Sequence, residues 1–184
     1  MKTFNVAIVI GSLRKGSFSK QVALNLQKLS PGELKLHLID ISGLEMYNQD
    51  LEESGQEPAS WKQFRQEVLK HDALLFVTPE YNRSIPGVLK NALDVGSRPY
   101  GHSVWDGKPG AIISVSPGAI GGFGANHHLR QMLTFLNVPA MQQPEAYLGN
   151  VHKLLNEKGE IANPATLDFL RSFMQAYASW IEKD

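Results

Sequence analysis

"FNVAIVIGSLRKGSFS", residues 4–19, joins two kinds of sequence. Its first half is a short, β-branched and almost unbroken apolar run, the composition of a parallel strand covered on both faces. Its second half, "GSLRKGSFS" (11–19), holds Gly11, Gly16, three serines and an Arg-Lys pair. Val22, Ala23, Leu26 and Leu29 follow at helical spacing, and Ser17 or Ser19 can cap that helix. A strand, a hydroxyl-rich turn and a helix N-terminus in that order form an anion-binding corner. The same composition also suits a turn that merely caps a helix, so the rest of the chain has to decide.

Outward from this corner the pattern repeats. "LKLHLIDI" (34–41) alternates as a strand after Pro31-Gly32, and the polar stretch "YNQDLEESGQEP" (47–58) reads as a loop. Trp61, Phe64, Val68 and Leu69 mark one face of a helix, and "ALLFVT" (73–78) is strand-like throughout. "IPGVLKNALDVG" (85–96) predicts a helix opened by Pro86, "GAIISVS" (110–116) a strand, and "ANHHLRQMLTFLN" (125–137) a helix. A short fifth strand is expected near Val138–Met141. Asn163-Pro164 then opens a last helix with Leu167, Leu170, Phe173, Met174, Tyr177 and Ile181 on one side. Alternating strands and helices imply an α/β fold with a parallel sheet of about five strands and helices on both faces. Residues 1–184 read as one domain. Ligands in such sheets sit at the C-terminal strand ends, where "GSLRKGSFS", "PEYNRS" (79–84) and "SPGAIGG" (116–122) converge.

Bulk properties narrow the function. Lys+Arg and Asp+Glu number 18 each, which removes a net pull toward nucleic acid or acidic membranes. No apolar run approaches the roughly 20 residues that span a bilayer. The N-terminus lacks a signal-peptide pattern, so the cytoplasm is the expected compartment. Without cysteine there is no disulfide, thiolate nucleophile or cysteine metal site. No His and carboxylate spacing suggests a metal either.

Three phosphate or hydrolase readings fail on particular residues. Gly11 and Gly16 have the spacing of a P-loop, but Ser17 and Phe18 stand where Lys and Ser/Thr are needed. A dinucleotide fingerprint needs a glycine where Leu13 stands, although Asp40 closes the second strand suitably. "SVSPG" (114–118) lacks the first glycine of a nucleophile elbow. A loop offering Ser12, Ser17, Ser19 and Arg14 suits a terminal phosphate monoester, such as that of FMN, better than a pyrophosphate.

"TPEYNRSIPGVLKNALD" (78–94), taken with "GSLRKGSFS" and "SPGAIGG", closely resembles the NADPH-dependent FMN reductase family of flavodoxin-like proteins. Within that family the chain looks most like bacterial quinone and chromate reductases, over its whole length. The resemblance implies a flavodoxin-like three-layer sandwich with bound FMN and NADPH or NADH as co-substrate. It implies ping-pong hydride transfer through the flavin to quinones, and to chromate or azo compounds incidentally. Ser12, Arg14, Ser17, Phe18 and Ser19 would surround the phosphate. Pro79, Glu80, Tyr81, Asn82 and Arg83 would line the flavin ring, with Ser116 and Gly118 approaching from the third loop. No side-chain acid or base is obligatory, so no catalytic residue is assigned. Lys90, Asn91 and Asp94 are read as structural, and His127 and His128 as surface or interface residues. His102 or Trp105, in the loop 97–110, are candidates to meet the acceptor, and Arg14 and Lys15 to meet the 2′-phosphate of NADPH. Family analogy also implies a homodimer or homotetramer. Phe123-Gly124 departs from the Ala-Arg pair frequent in relatives, and Arg83 is a candidate to replace that arginine across an interface with Glu145. A flavodoxin-like electron carrier and a non-enzymatic regulatory protein are the rival readings, though the balanced charge speaks against an acidic carrier.

Overall fold

The computed structural model describes residues 2–183. Five parallel strands, β1 (Phe4–Ile10), β2 (Leu34–Ile39), β3 (Ala73–Pro79), β4 (Gly110–Val115) and β5 (Ala146–Leu148), pair in the order β2-β1-β3-β4-β5. The helices are α1 (Phe18–Leu29), α2 (Gln49–Glu53), α3 (Ala59–Leu69), α4 (Gly87–Gly96), α5 (Phe123–Phe135), α6 (Val151–Leu154) and α7 (Pro164–Lys183).

Strand periodicity sorts the apolar residues onto two faces. Val6, Ile8, Leu75, Val77, Ile113 and Val115 turn toward α1 and α7, where Leu26, Phe173 and Tyr177 complete one core. Ala7, Val9, Leu74, Phe76 and Ile112 turn the other way, against Trp61, Leu89, Trp105 and Leu129. Every residue from Ala73 to Thr78 and from Gly110 to Val115 is buried, which explains the unbroken apolar runs of those strands. β2 lies at the edge, where only its end residues, Leu34 and Ile39, are buried and Lys35, His37 and Leu38 are exposed.

The flavodoxin-like three-layer expectation holds, with local corrections. The fifth strand is Ala146–Leu148, whereas the segment near Val138–Met141 makes only an isolated parallel bridge between Gly110 and Ala140. Pro139 sits in that segment, and the chain reaches β5 only after the turn at Pro144. The polar loop 47–58 contains α2, whose N-terminus Asn48 caps by accepting from Asp50 N at 3.0 Å. Trp105 does not face any acceptor. It is fully buried under α4, donating to Leu93 O at 3.0 Å, because a large indole offers more apolar area to the core than to a surface loop.

Candidate functional site

The loops 11–19, 79–84 and 116–122 meet at the C-terminal edge of the sheet. There a cleft of about 280 Å³ is lined by Ser12, Arg14, Ser17, Phe18, Ser19, Pro79, Glu80, Tyr81, Val115 and Pro117. Eight of these were read from the sequence as site residues. Asn82, Arg83, Ser116 and Gly118 adjoin the cleft without lining it, and Val115 and Pro117 are additions. Pro117 lies inside a loop the sequence singled out, but Val115 reads only as the last strand residue. A hollow of about 460 Å³ between α4 and α5 is larger, yet it is walled by those two helices and their C-caps alone. The strand ends carry the site, because loops of three elements converge only there.

The phosphate corner is built by α1. Ser17 ends the loop in an extended conformation, and its hydroxyl accepts from Lys20 N at 3.3 Å. Phe18 and Ser19 are the first residues of the helix, so their N–H groups have no acceptor within it. Ser19 is buried, and its Oγ has no hydrogen-bond partner among the described residues. A buried hydroxyl without a partner costs free energy unless a ligand completes it. Arg14 stands at the mouth of this corner, its Nη2 donating to Gly16 O at 2.6 Å and its guanidinium 5.5 Å from the Phe18 ring centre. Two free N–H groups at a helix N-terminus, an unpaired hydroxyl and a guanidinium form a donor set for a multiply charged oxyanion. A phosphate monoester fits it.

The second wall is a tight turn beyond β3. Tyr81 N donates to Ser84 O at 2.9 Å and Ser84 N to Tyr81 O at 3.0 Å, closing a two-residue hairpin turn over Asn82 and Arg83. The N–H groups of Asn82 and Arg83 make no hydrogen bond with described residues, and Tyr81 leaves its ring half exposed. Free amides beside a flat aromatic face suit the polar edge of a planar heterocycle. The Glu80 carboxylate turns sideways: Oε2 accepts from Ala125 N at 3.1 Å, and Oε1 pairs with Arg83 Nη1 at 3.2 Å.

The third wall is held by backbone pairing. Ser116 N donates to Leu148 O at 2.9 Å, Val151 N to Ser116 O at 3.2 Å, and Gly118 N to Ser116 Oγ at 3.0 Å. The other singled-out residues serve the frame. Asn91 is buried and bonds Tyr47 N, Leu44 O and Glu45 O, while Lys90 and Asp94 pair on the surface. His127 contacts Tyr147 Oη at 3.0 Å, and His128 contacts Ser84 Oγ at 3.0 Å. Burial, then the neighbouring Glu145 carboxylate, push the Tyr147 phenol up to about 12. Among the described residues, no group of His, Cys, Asp or Glu is arranged to hold a metal.

Strand order 2-1-3-4-5, with a phosphate corner after β1 and free amides after β3, defines a flavodoxin-like mononucleotide-binding protein. More narrowly, the chain belongs to the NADPH-dependent FMN reductase family, whose model matches residues 4–153. It is an oxidoreductase. It is 54% identical over 181 residues to a quinone reductase of Pseudomonas putida, covering 98% of this chain and 96% of that protein. It is 47% identical to a 2-hydroxy-1,4-benzoquinone reductase of a Burkholderia species, covering 96% of this chain and 95% of the relative. Among solved structures, the flavoenzyme NAD(P)H:(acceptor) oxidoreductase of Paracoccus denitrificans superimposes with a TM-score of 0.91 at 41% identity. That match covers 98% of both chains.

Proposed function

We propose that the cleft holds FMN and that the protein reduces quinones at the expense of NADPH or NADH. The observation that carries this reading is the buried Ser19 hydroxyl, without a partner among the described residues, beside two N–H groups that have no acceptor within the helix, a donor set suited to phosphate. Bound FMN supplies two-electron transfer between a reduced nicotinamide and an acceptor. Ser12, Arg14, Ser17 and Ser19 hold the phosphate by side-chain donors, and Phe18 contributes its N–H. Pro79 fixes the exit from β3, and Tyr81 offers an apolar face. Asn82 and Arg83 present amides to the polar rim of the ring, where fixed dipoles stabilise negative charge at no reorganisation cost. Ser116 and Gly118 close the opposite side. No residue here is asked to act as an acid or base.

The names of the two curated relatives support a quinone as acceptor, and an open cleft favours small planar molecules over protein partners. The nicotinamide and the acceptor would use one opening in turn. A second copy of this chain would cover the α4/α5 hollow, where Met132, Phe135 and Leu136 leave apolar surface exposed. The reading also places the protein in the cytoplasm, in keeping with the absence of cysteine. The deciding experiment is anaerobic stopped-flow reduction of the FMN-loaded protein by NADPH and by NADH, followed by mixing with a panel of quinones. Rapid reduction by at least one nucleotide and reoxidation by quinones is the expected result. Equal, very slow reduction by both nucleotides would overturn the reading.

A further inference from the structure

Glu80 lines the cleft, but both oxygens of its carboxylate are engaged by groups of the protein. It bridges Ala125 N at the start of α5, which lies 45 residues further along the chain, and the Arg83 guanidinium in the turn after β3. Three independent features converge on this contact.

First, α5 begins at Gly122 in the left-handed conformation and has no side-chain cap of its own. A helix N-terminus carries unsatisfied N–H groups and a positive end of its dipole. Glu80 supplies the missing acceptor and the compensating charge from a different loop. Second, residue 124 is a glycine where a Cβ would lie 2.9 Å from Glu80 Oε2 and 2.8 Å from Arg83 O. Any side chain there would push the carboxylate and the turn away from the helix. Third, Asn82 and Arg83 have φ of 51° and 64°, the paired positive values of a type I′ turn. Asparagine tolerates that region, but arginine is strained in it and stays only where its surroundings over-determine the conformation. The ion pair from Glu80 to the largely exposed Arg83 side chain adds a modest restraint to the two Tyr81–Ser84 hydrogen bonds that close the turn.

We propose that Glu80 is the positioning residue of the flavin site, holding the 81–84 turn against the N-terminus of α5 so that the Asn82 and Arg83 amides stay aimed at the ring, without itself touching the flavin. The inference rests on the reading that this cleft holds FMN. One consequence is that α5 directs its positive end at a carboxylate of the protein and not at the ligand. The donors for the flavin ring are then the turn amides, whose aim depends on a strained arginine.

The test uses apoprotein titrated with FMN and with riboflavin, read by quenching of flavin fluorescence, with thermal melts of each apoprotein alongside. Glu80→Ala should weaken both flavins by a similar factor of roughly 10 to 100, because the ring side is loosened and the phosphate corner is not. Glu80→Gln, which keeps an acceptor for Ala125 N but loses the ion pair, should lie between wild type and Glu80→Ala. The diagnostic variant is Arg83→Gly placed in the Glu80→Ala background. Glycine adopts this φ without strain, so part of the lost flavin affinity should return, while the missing tie to Ala125 N keeps it weaker than wild type. A Glu80→Ala protein that binds flavin as wild type does would overturn the proposal. So would an unrescued double variant with a wild-type melting temperature, which would mean that Glu80 serves the ligand directly. Should Glu80→Ala not fold, Glu80→Gln with and without Arg83→Gly gives the same comparison. Failure of the wild-type protein itself to take up FMN would overturn the cofactor reading, and is seen before any variant is made.

Discussion

Ser19 and Gly96 show how single residues divide between ligand and frame. The Ser19 hydroxyl is buried without a partner among the described residues, so Ser19→Ala should leave the melting temperature of the apoprotein unchanged or slightly raised. The same change should raise the dissociation constant for FMN by roughly tenfold, the worth of one charge-assisted hydrogen bond, and leave riboflavin binding almost untouched. Paired titrations with the two flavins check this, and equal losses for both would place the phosphate elsewhere. Gly96 instead serves packing. A Cβ there would lie 2.5 Å from Trp105 Cζ2, and the buried indole has no room to retreat. Gly96→Ala should therefore destabilise the protein by about 1–3 kcal/mol, the usual cost of overpacking, with a lower midpoint in urea. Nothing in the local sequence around Gly96 announces this, because Trp105 arrives from a loop nine residues later.

At the scale of elements, α7 is fastened to the sheet by Tyr177, whose hydroxyl donates to Leu74 O at 2.6 Å near the start of β3. Tyr177→Phe leaves that buried carbonyl short of a partner and should cost about 1–2 kcal/mol in chemical unfolding. The loop between α3 and β3 carries a pH-sensitive residue. His71 is buried, with Nδ1 at 2.9 Å from Glu67 O, the His37 ring 5.1 Å away and Lys108 donating to its carbonyl. Burial, outweighing the Glu67 contact, lowers its pKa, and the charges of His37 and Lys108 act in the same direction. The folded state thus prefers the neutral ring. Its stabilising effect is complete above the ordinary histidine pKa of about 6.5 and is lost as pH falls from there toward the depressed folded value. Unfolding midpoints in urea should drop between pH 7.5 and 5.5, and drop less in His71→Gln. The elements also show where sequence patterns reach their limit. β1, β3 and β4 are long apolar runs visible at once, whereas β5 has three residues and exists because β4 offers it an edge.

For the whole molecule, one opening serves both reductant and oxidant in our reading, so steady-state kinetics should give parallel double-reciprocal lines. Intersecting lines would mean that nucleotide and quinone bind together. The α4/α5 face predicts self-association: light scattering should report at least a dimer, and Phe135→Asp, at a residue that is 89% exposed, should shift it toward monomer. A wild-type monomer would remove that face from consideration.

The alternation of strands and helices, the three loops that meet at the strand ends and the family were legible in the sequence. Periodicity and turn chemistry are local properties, and they reach as far as a helix or a strand reaches. The cap of α1 by Ser17 and the anion corner beside it belong to that class, since all their atoms come from nine consecutive residues. Only the tertiary structure decided that Trp105 is core, that β5 lies at 146–148, and that Glu80 reaches the start of α5. Each depends on residues many positions apart being pressed together by burial of apolar surface, and no local pattern records which distant backbone a side chain will meet.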